Sequence, residues 1–171
     1  LREPPENLIA PFKRWAKEAP DRIWLAERVP GKDGWREVTY AQAFDLIGRI
    51  AAGLIARGLK GESAPLMILS GNSVDHALMT YGAILAGCPV APVSRAYSTM
   101  SSDFAKLKHV FNLVEPKAIW ADDLRPYAKG LAALDLSGVK LFHGSEGAQG
   151  FQSEPMAALL AEPGGDVAKA A

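Results

Sequence analysis

The stretch Leu66-Met67-Ile68-Leu69-Ser70-Gly71-Asn72-Ser73-Val74-Asp75-His76-Ala77-Leu78 decides the fold class. Leu66 to Leu69 is a short continuous apolar run, the pattern of a strand covered on both faces. Ser70-Gly71-Asn72-Ser73 makes the turn and offers caps for a helix. Val74, Leu78, Tyr81 and Leu85 then recur at helical spacing, and Gly87 ends the run. Cys88 to Val93 follows as the next strand, which Pro89 and Pro92 keep short or place near an edge.

Working toward the N-terminus, Ile23 to Val29 and Trp35 to Tyr40 flank Pro30-Gly31-Lys32-Asp33-Gly34 and read as a hairpin. Thr39 followed by Gln42 has capping-box spacing, so a helix starts at Tyr40. Its stripe is Tyr40, Phe44, Ile47, Ala51 and Leu54, and Gly58 supplies the left-handed stop. Toward the C-terminus, Ser101, Ser102 and Asp103 open a third helix with the stripe Phe104, Leu107, Phe111 and Val114, closed by Pro116. Ala118 to Ala121 reads as a strand. Asp122 or Asp123 then caps a short helix carrying Tyr127, Leu131 and Leu134, and Val139 to Phe142 is a last strand. Beyond Gly144 the chain turns to Gly, Ser, Glu and Ala, and Glu162-Pro163-Gly164-Gly165-Asp166 has the look of a linker.

Strands alternating with helices at this spacing predict an α/β fold: a mainly parallel sheet with helices on both faces, preceded by a short N-terminal β-hairpin. The expected organisation is an N-terminal arm and helix over 1–22, an α/β subdomain over 23–143, and a polar segment and linker over 144–171.

Composition narrows the function. At 171 residues the chain suffices for one ordinary domain, and 49% apolar with 22% charged residues excludes disorder. Nineteen Lys and Arg balance nineteen Asp and Glu, so no bulk field draws it to nucleic acid or anionic lipid. Its single cysteine, Cys88, excludes a disulfide framework and a cysteine zinc site, which fits a reducing cytoplasm. The most apolar stretch, Ala77 to Val93, is broken by Gly82, Gly87, Pro89 and Pro92 and reads as two elements rather than a membrane span. The start, Leu1-Arg2-Glu3-Pro4-Pro5, lacks a signal core and an initiator Met, as expected of a trimmed or truncated chain.

Parallel sheets bind ligands at the carboxyl ends of their strands. There, Ser70-Gly71-Asn72-Ser73 is read as a structural turn, with an anion site at the helix N-terminus as the alternative. It has neither the Rossmann glycine spacing nor the phosphate-loop lysine. His76, His109 and His143 share no ligand spacing, Cys88 reads as an inert core thiol, and Asp122 and Asp123 read as helix caps. Three cations are candidates for a phosphate: Arg95, just past a strand end, and Arg125 with Lys129, four apart on the following helix. For each, a plain surface side chain is the competing reading. No complete active site emerges from the residue chemistry.

Three stretches together carry a family resemblance. Gly34-Trp35-Arg36-Glu37-Val38-Thr39-Tyr40-Ala41-Gln42-Ala43 resembles the opening "W…TY.E" motif of the acyl-adenylate-forming enzymes. Leu66 to Leu78 resembles their first core strand, Asn-Ser turn and helix. Gly82-Ala83-Ile84-Leu85-Ala86-Gly87-Cys88-Pro89-Val90-Ala91-Pro92-Val93-Ser94 resembles their "G.L.AG…PV" motif. Leu69 to Ser73 with Ala91 to Ser94 and Ala96-Tyr97-Ser98 looks most like feruloyl-CoA synthetases.

The resemblance implies a parent enzyme using ATP, Mg and CoA to join a small-molecule acid to AMP and then to CoA. It covers nearly the whole chain yet only the opening third or less of such an enzyme. The phosphate loop with its Lys, the aromatic-Gly-x-Thr-Glu motif, the ribose-binding Asp, the hinge and the C-terminal Lys belong to later parts of the family. None occurs here, so no catalytic residue carries over, and the piece itself is expected to bind no cofactor and to self-associate. Arg95 departs from the family, standing where it usually has proline. Arg95, Arg125 and Lys129 are the residues assigned to the CoA or phosphate side. Two rival readings are an adenylation domain feeding a carrier protein and a free-standing α/β binding module.

Overall fold

A computed structural model describes residues 7–29, 31–164 and 167. Helix α1 (Ala10–Glu18) leads into strands β1 (Ile23–Arg28) and β2 (Trp35–Thr39), an antiparallel hairpin with a bulge at Trp24. Helix α2 (Tyr40–Ala56) follows without a break, because Thr39 is extended and forms the capping box. Thr39 Oγ1 accepts from the Gln42 amide at 3.3 Å, and Gln42 Oε1 accepts from the Thr39 amide at 3.0 Å. Gly58, at φ 78°, takes the left-handed conformation that ends the helix cheaply.

Strands β3 (Leu66–Leu69), β4 (Val90–Pro92), β5 (Ala118–Asp123), β6 (Lys140–Glu146) and β7 (Glu154–Pro155) form one parallel sheet in the order β4-β3-β5-β6-β7. All four residues of β3 are buried, as a continuous apolar run on an inner strand requires. β4 is short and lies at one edge, where Pro89 and Pro92 cost no ladder bond.

Each sheet face has its own core. Helices α2 and α3 (Val74–Leu85) cover one face through Ile47, Ile50, Leu54, Leu78 and Met79, against Ile68, Trp120 and Phe142. Gly82 makes their contact close, since a methyl there would collide with the Ile50 side chain. The other face holds Met67, Leu69, Ile119 and Leu141, covered by α5 (Ala105–Val114) through Leu107 and by Tyr127 and Leu131. The fold is α/β, as the alternation of elements predicts.

Four local expectations need correction. The third helix starts at Ala105 rather than at Ser101, because Phe104 is left-handed (φ 55°) and breaks the helical path. Ser101 and Asp103 instead tie a turn, Asp103 Oδ1 accepting from the Ala105 amide at 3.1 Å. Helix α4 (Ala96–Thr99) was not anticipated; at four residues it carries no periodic stripe. β5 runs on through Asp123, and the expected helix is a 3₁₀ turn (Arg125–Tyr127) with Pro126, followed by α6 (Ala128–Leu131). Leu134 lies beyond it.

Past Gly144, β6 continues to Glu146, and β7 and α7 (Met156–Leu160) follow. Helix α7 docks on α2 at Gly53, where a methyl group would come within 2.7 Å of the Leu159 backbone. Arg57, at the end of α2, ties it to the β7–α7 segment, its Nε donating to Glu154 Oε2 at 2.8 Å and its Nη2 to Ala158 O at 3.4 Å. Of the stretch expected as a linker, Gly164 is packed against the Gly48–Arg49 backbone. Gly165 and Asp166 lie outside the described residues.

Candidate functional site

The helix after β3 covers one face of the sheet and the segment after β5 covers the other. The chain therefore changes direction between β3 and β5, and the crevice outside their carboxyl ends is where such sheets bind ligands. Two segments meet there: Ser70 to Ser73 after β3, and Asp122 to Tyr127 around the end of β5. Arg95, just past β4, completes the edge.

Of the three cations expected from the sequence, Arg95 and Arg125 lie on segments at this crossing, and Arg95 is the one seen against the turn after β3. A methyl group on Gly71 would come within 3.1 Å of Arg95 Nη1, so the guanidinium rests against the turn after β3. Arg95 is exposed, and no salt bridge among the described residues engages it. Tyr127 is fully buried close by, its Oη having no partner among the described residues other than the Arg95 side chain. Burial pushes the phenol's pKa up, Asp122 adds to that, and the Arg95 charge opposes both.

Arg125 is placed differently. Its Nη2 donates to Asp123 Oδ2 at 2.6 Å, its Nε to both carboxylate oxygens, and its backbone amide to Oδ1 at 2.9 Å. The Asp123 carboxylate raises the guanidinium's pKa, and the guanidinium in turn holds Asp123 below the usual carboxylate range. The pairing engages the Nε–Nη2 edge of the guanidinium. Lys129 is exposed on α6, with Arg125 on the preceding 3₁₀ turn, so the two do not share one α-helical face.

The N-terminus of α3, the alternative anion site, already holds an anion. The Val74 amide donates to Glu27 Oε2 at 2.8 Å, and Ser73 Oγ accepts from the His76 amide at 3.0 Å. Arg36 braces this contact, donating to Glu27 Oε1 at 3.0 Å and to Asp75 Oδ1 at 2.6 Å. The hairpin is thereby pinned to the first turn of α3. A carboxylate at a helix N-terminus is favoured both by the free amides and by the dipole. Sequence reading missed Glu27, since the amide it binds is 47 residues away.

The remaining candidates do not converge. His76 Nδ1 lies 3.0 Å from Gly71 O, His143 Nδ1 lies 3.0 Å from Ser153 Oγ, and His109 is exposed on α5. Cys88 is buried, and that burial pushes its thiol pKa up, which disfavours the nucleophilic thiolate. Among the described residues no three His, Cys, Asp or Glu side chains are grouped so as to hold a metal ion. No helix among them is long and apolar enough to cross a membrane.

Comparison with known proteins places this architecture. No curated protein matches the chain significantly. Three solved structures share its fold. A long-chain-fatty-acid-CoA ligase from Archaeoglobus fulgidus is 15% identical with a TM-score of 0.75, covering 94% of this chain and 30% of its own. A structure described as a putative long-chain-fatty-acid CoA ligase from Rhodopseudomonas palustris is 23% identical with a TM-score of 0.66, over 86% of this chain and 34% of its own. A benzoate CoA ligase from Burkholderia xenovorans is 15% identical with a TM-score of 0.67, over 92% of this chain and 29% of its own. The chain thus spans about a third of the length of these proteins. The family of AMP-binding enzymes matches over residues 12–158, from α1 into α7. With that match running through the hairpin, both sheet cores and the β3–β5 crossing, the chain belongs to the AMP-binding enzyme family.

Proposed function

We propose that this chain is the N-terminal part of an ATP-dependent acid–thiol ligase. In that reading the whole enzyme joins a carboxylate to AMP, releasing pyrophosphate, and then exchanges AMP for the thiol of CoA to give the thioester. The observation that carries the reading is the family match over residues 12–158. The three sequence motifs that resemble acyl-adenylate-forming enzymes lie on β2–α2, β3–α3 and α3–β4, the elements that build this sheet. An aryl acid such as ferulate is the proposed substrate, on the resemblance of Leu69 to Ser73 and Ala91 to Ser98 to feruloyl-CoA synthetases.

The residues of this chain contribute charge rather than chemistry. Arg95 stands at the β3–β5 crossing with no carboxylate paired to it among the described residues, and it is proposed to meet a phosphate of CoA. Lys129 is proposed as a second, solvent-facing cation on that side. Arg125, engaged by Asp123, holds the loop after β5 in shape and meets phosphate only if that pairing opens. Mg and the triphosphate are proposed to be held by later parts of the enzyme.

Pyrophosphate release by the full-length protein, given ATP, Mg and a panel of ferulate, related cinnamates and fatty acids, tests the reading. Acid-dependent release with CoA-dependent thioester formation is expected, strongest with ferulate. Release without transfer to CoA favours delivery to a carrier protein instead. No release with any acid overturns the proposal.

A further inference from the structure

Gly71 has no backbone reason to be glycine. The described glycines in the left-handed region are at 31, 34, 58, 61, 87, 138 and 150, and position 71 is not among them. Space is the reason that remains. A methyl group there would come within 3.1 Å of Arg95 Nη1, 3.7 Å of its Cδ and 3.9 Å of its Cζ. The first of these is tighter than ordinary van der Waals contact, so a methyl group at 71 would make the guanidinium give by a few tenths of an ångström and shift it off its seat. Arg95 is exposed and has no salt bridge among the described residues, so no carboxylate holds it in place. Its hold comes from packing on the bare backbone of the turn and from the Tyr127 phenol it faces.

A second observation marks the same spot. Tyr127 is fully buried, and the Arg95 side chain acts on its phenol both by charge and as a hydrogen-bond donor, the Oη having no other partner among the described residues. A buried hydroxyl without any partner is uncommon, and this one is stabilised by a nearby cation that its oxygen can face. No carboxylate among the described residues pairs with the Arg95 charge.

We propose that Gly71 is a positioning residue: by omitting a side chain it seats the Arg95 guanidinium on the turn after β3 and presents that charge to a phosphate group of CoA. The inference rests on the CoA-side reading of Arg95 given above. A guanidinium seated before the substrate arrives loses less freedom on binding, which appears as a lower KM.

The test uses the full-length enzyme with Gly71→Ala, Arg95→Gln and the double variant. Gly71→Ala is expected to fold, because its backbone suits alanine and the atom it meets is the end of a flexible side chain. Two quantities are read: the rate at which phenylglyoxal modifies Arg95, followed by mass spectrometry of its peptide, and the kinetic constants for CoA. In Gly71→Ala, modification of Arg95 should speed up several-fold, and KM for CoA should rise about three- to tenfold with kcat little changed. Arg95→Gln should raise KM by about tenfold or more, and adding Gly71→Ala to it should change KM no further.

An unchanged modification rate in Gly71→Ala overturns the positioning role whatever happens to KM. Additive effects on KM overturn it too, since Gly71 would then act on something other than Arg95. If Arg95→Gln leaves KM for CoA at the wild-type value, the CoA-side reading fails and takes the inference with it. Faster modification in Gly71→Ala would in that case show which of the two had failed. Should Gly71→Ala not fold, Gly71→Ser supplies the same two readings at the same position.

Discussion

Glu27 and Val74 are 47 residues apart, yet the glutamate carboxylate caps the amide that opens α3. The contact joins a charge on a hairpin strand to a helix terminus, with Arg36 bridging to Asp75. Glu27→Gln keeps the shape and removes the charge. It should lower stability by about 1 kcal/mol at low salt, and by less at high salt, because the pair is partly exposed. Urea midpoints at two salt concentrations check this, and equal midpoints for the two proteins would mean water caps the helix instead. Titration adds a second residue-scale expectation. Asp123 is held down by Arg125, Asp103 by the Ala105 amide and Asp135 by the Ser137 hydroxyl. A folded pKa below the unfolded one of about 3.9 gives stability that is present above that value and lost as pH falls through the folded value. Cys88 and Tyr127 have the opposite sign, both raised by burial. Their contribution is complete below the unfolded thiol and phenol pKa values, about 8.5 and 10, and is lost as pH rises beyond them. Denaturation midpoints should therefore be level near neutrality and fall below about pH 4 and above about pH 8.5. Asp123→Asn should flatten the acid limb; an acid limb that it leaves unaltered would assign acid sensitivity elsewhere.

Among the elements, α2 shows how much local sequence can specify. Its start at Tyr40, its capping box and its stop near Gly58 all follow from neighbours within a few residues. Thr39→Ala removes the side-chain cap and should cost about 1 kcal/mol, read as a shift in the denaturant midpoint without a change in slope. An unmoved midpoint would mean that water satisfies the Gln42 amide equally well. Helix α7 is the opposite case. Five residues have too little periodicity to be read, and α7 exists because Gly53 lets it lie on α2. Gly53→Ala gains about 1 kcal/mol of helix propensity but must push α7 away, an overpacking cost of about 1–3 kcal/mol. A net loss is expected, together with faster proteolysis around residues 154–160. Greater stability with unaltered proteolysis would show that α7 tolerates the shift. The third helix and the short helix after β5 stand between these cases. Their apolar stripes were legible, but their first turns were not, since Phe104 is left-handed and Pro126 sits in a 3₁₀ turn.

At the scale of the whole molecule, the chain gathers one sheet and two cores but few of the charges that nucleotide chemistry needs. The α3 N-terminus is already taken by Glu27 and one edge of the Arg125 guanidinium by Asp123. That leaves Arg95 and Lys129, exposed cations worth about 0–1 kcal/mol each, whereas micromolar affinity requires about 8 kcal/mol. Calorimetry of the 171-residue chain with Mg-ATP should therefore show binding weaker than millimolar. Tight binding by the 171-residue chain would mean that this sheet edge alone builds a nucleotide site.

By itself the sequence determined the class of the fold and most of its order: the hairpin, α2, the β3–α3–β4 unit and the strand character of β5 and β6. These rest on short-range patterns, a capping pair, a four-residue apolar run or a helical stripe, which any reader of the chain can see. The three motifs in that order also carried the family resemblance. Only the tertiary structure decided the rest. The order β4-β3-β5-β6-β7 sets which strand ends meet, and so sets Arg95 against the turn after β3 while Arg125 is paired with Asp123. The anion at the α3 N-terminus, the space that Gly71 leaves and the buried hydroxyl of Tyr127 are all relations between residues far apart in the chain. The sequence lists such residues, but their distances exist only once the sheet has formed.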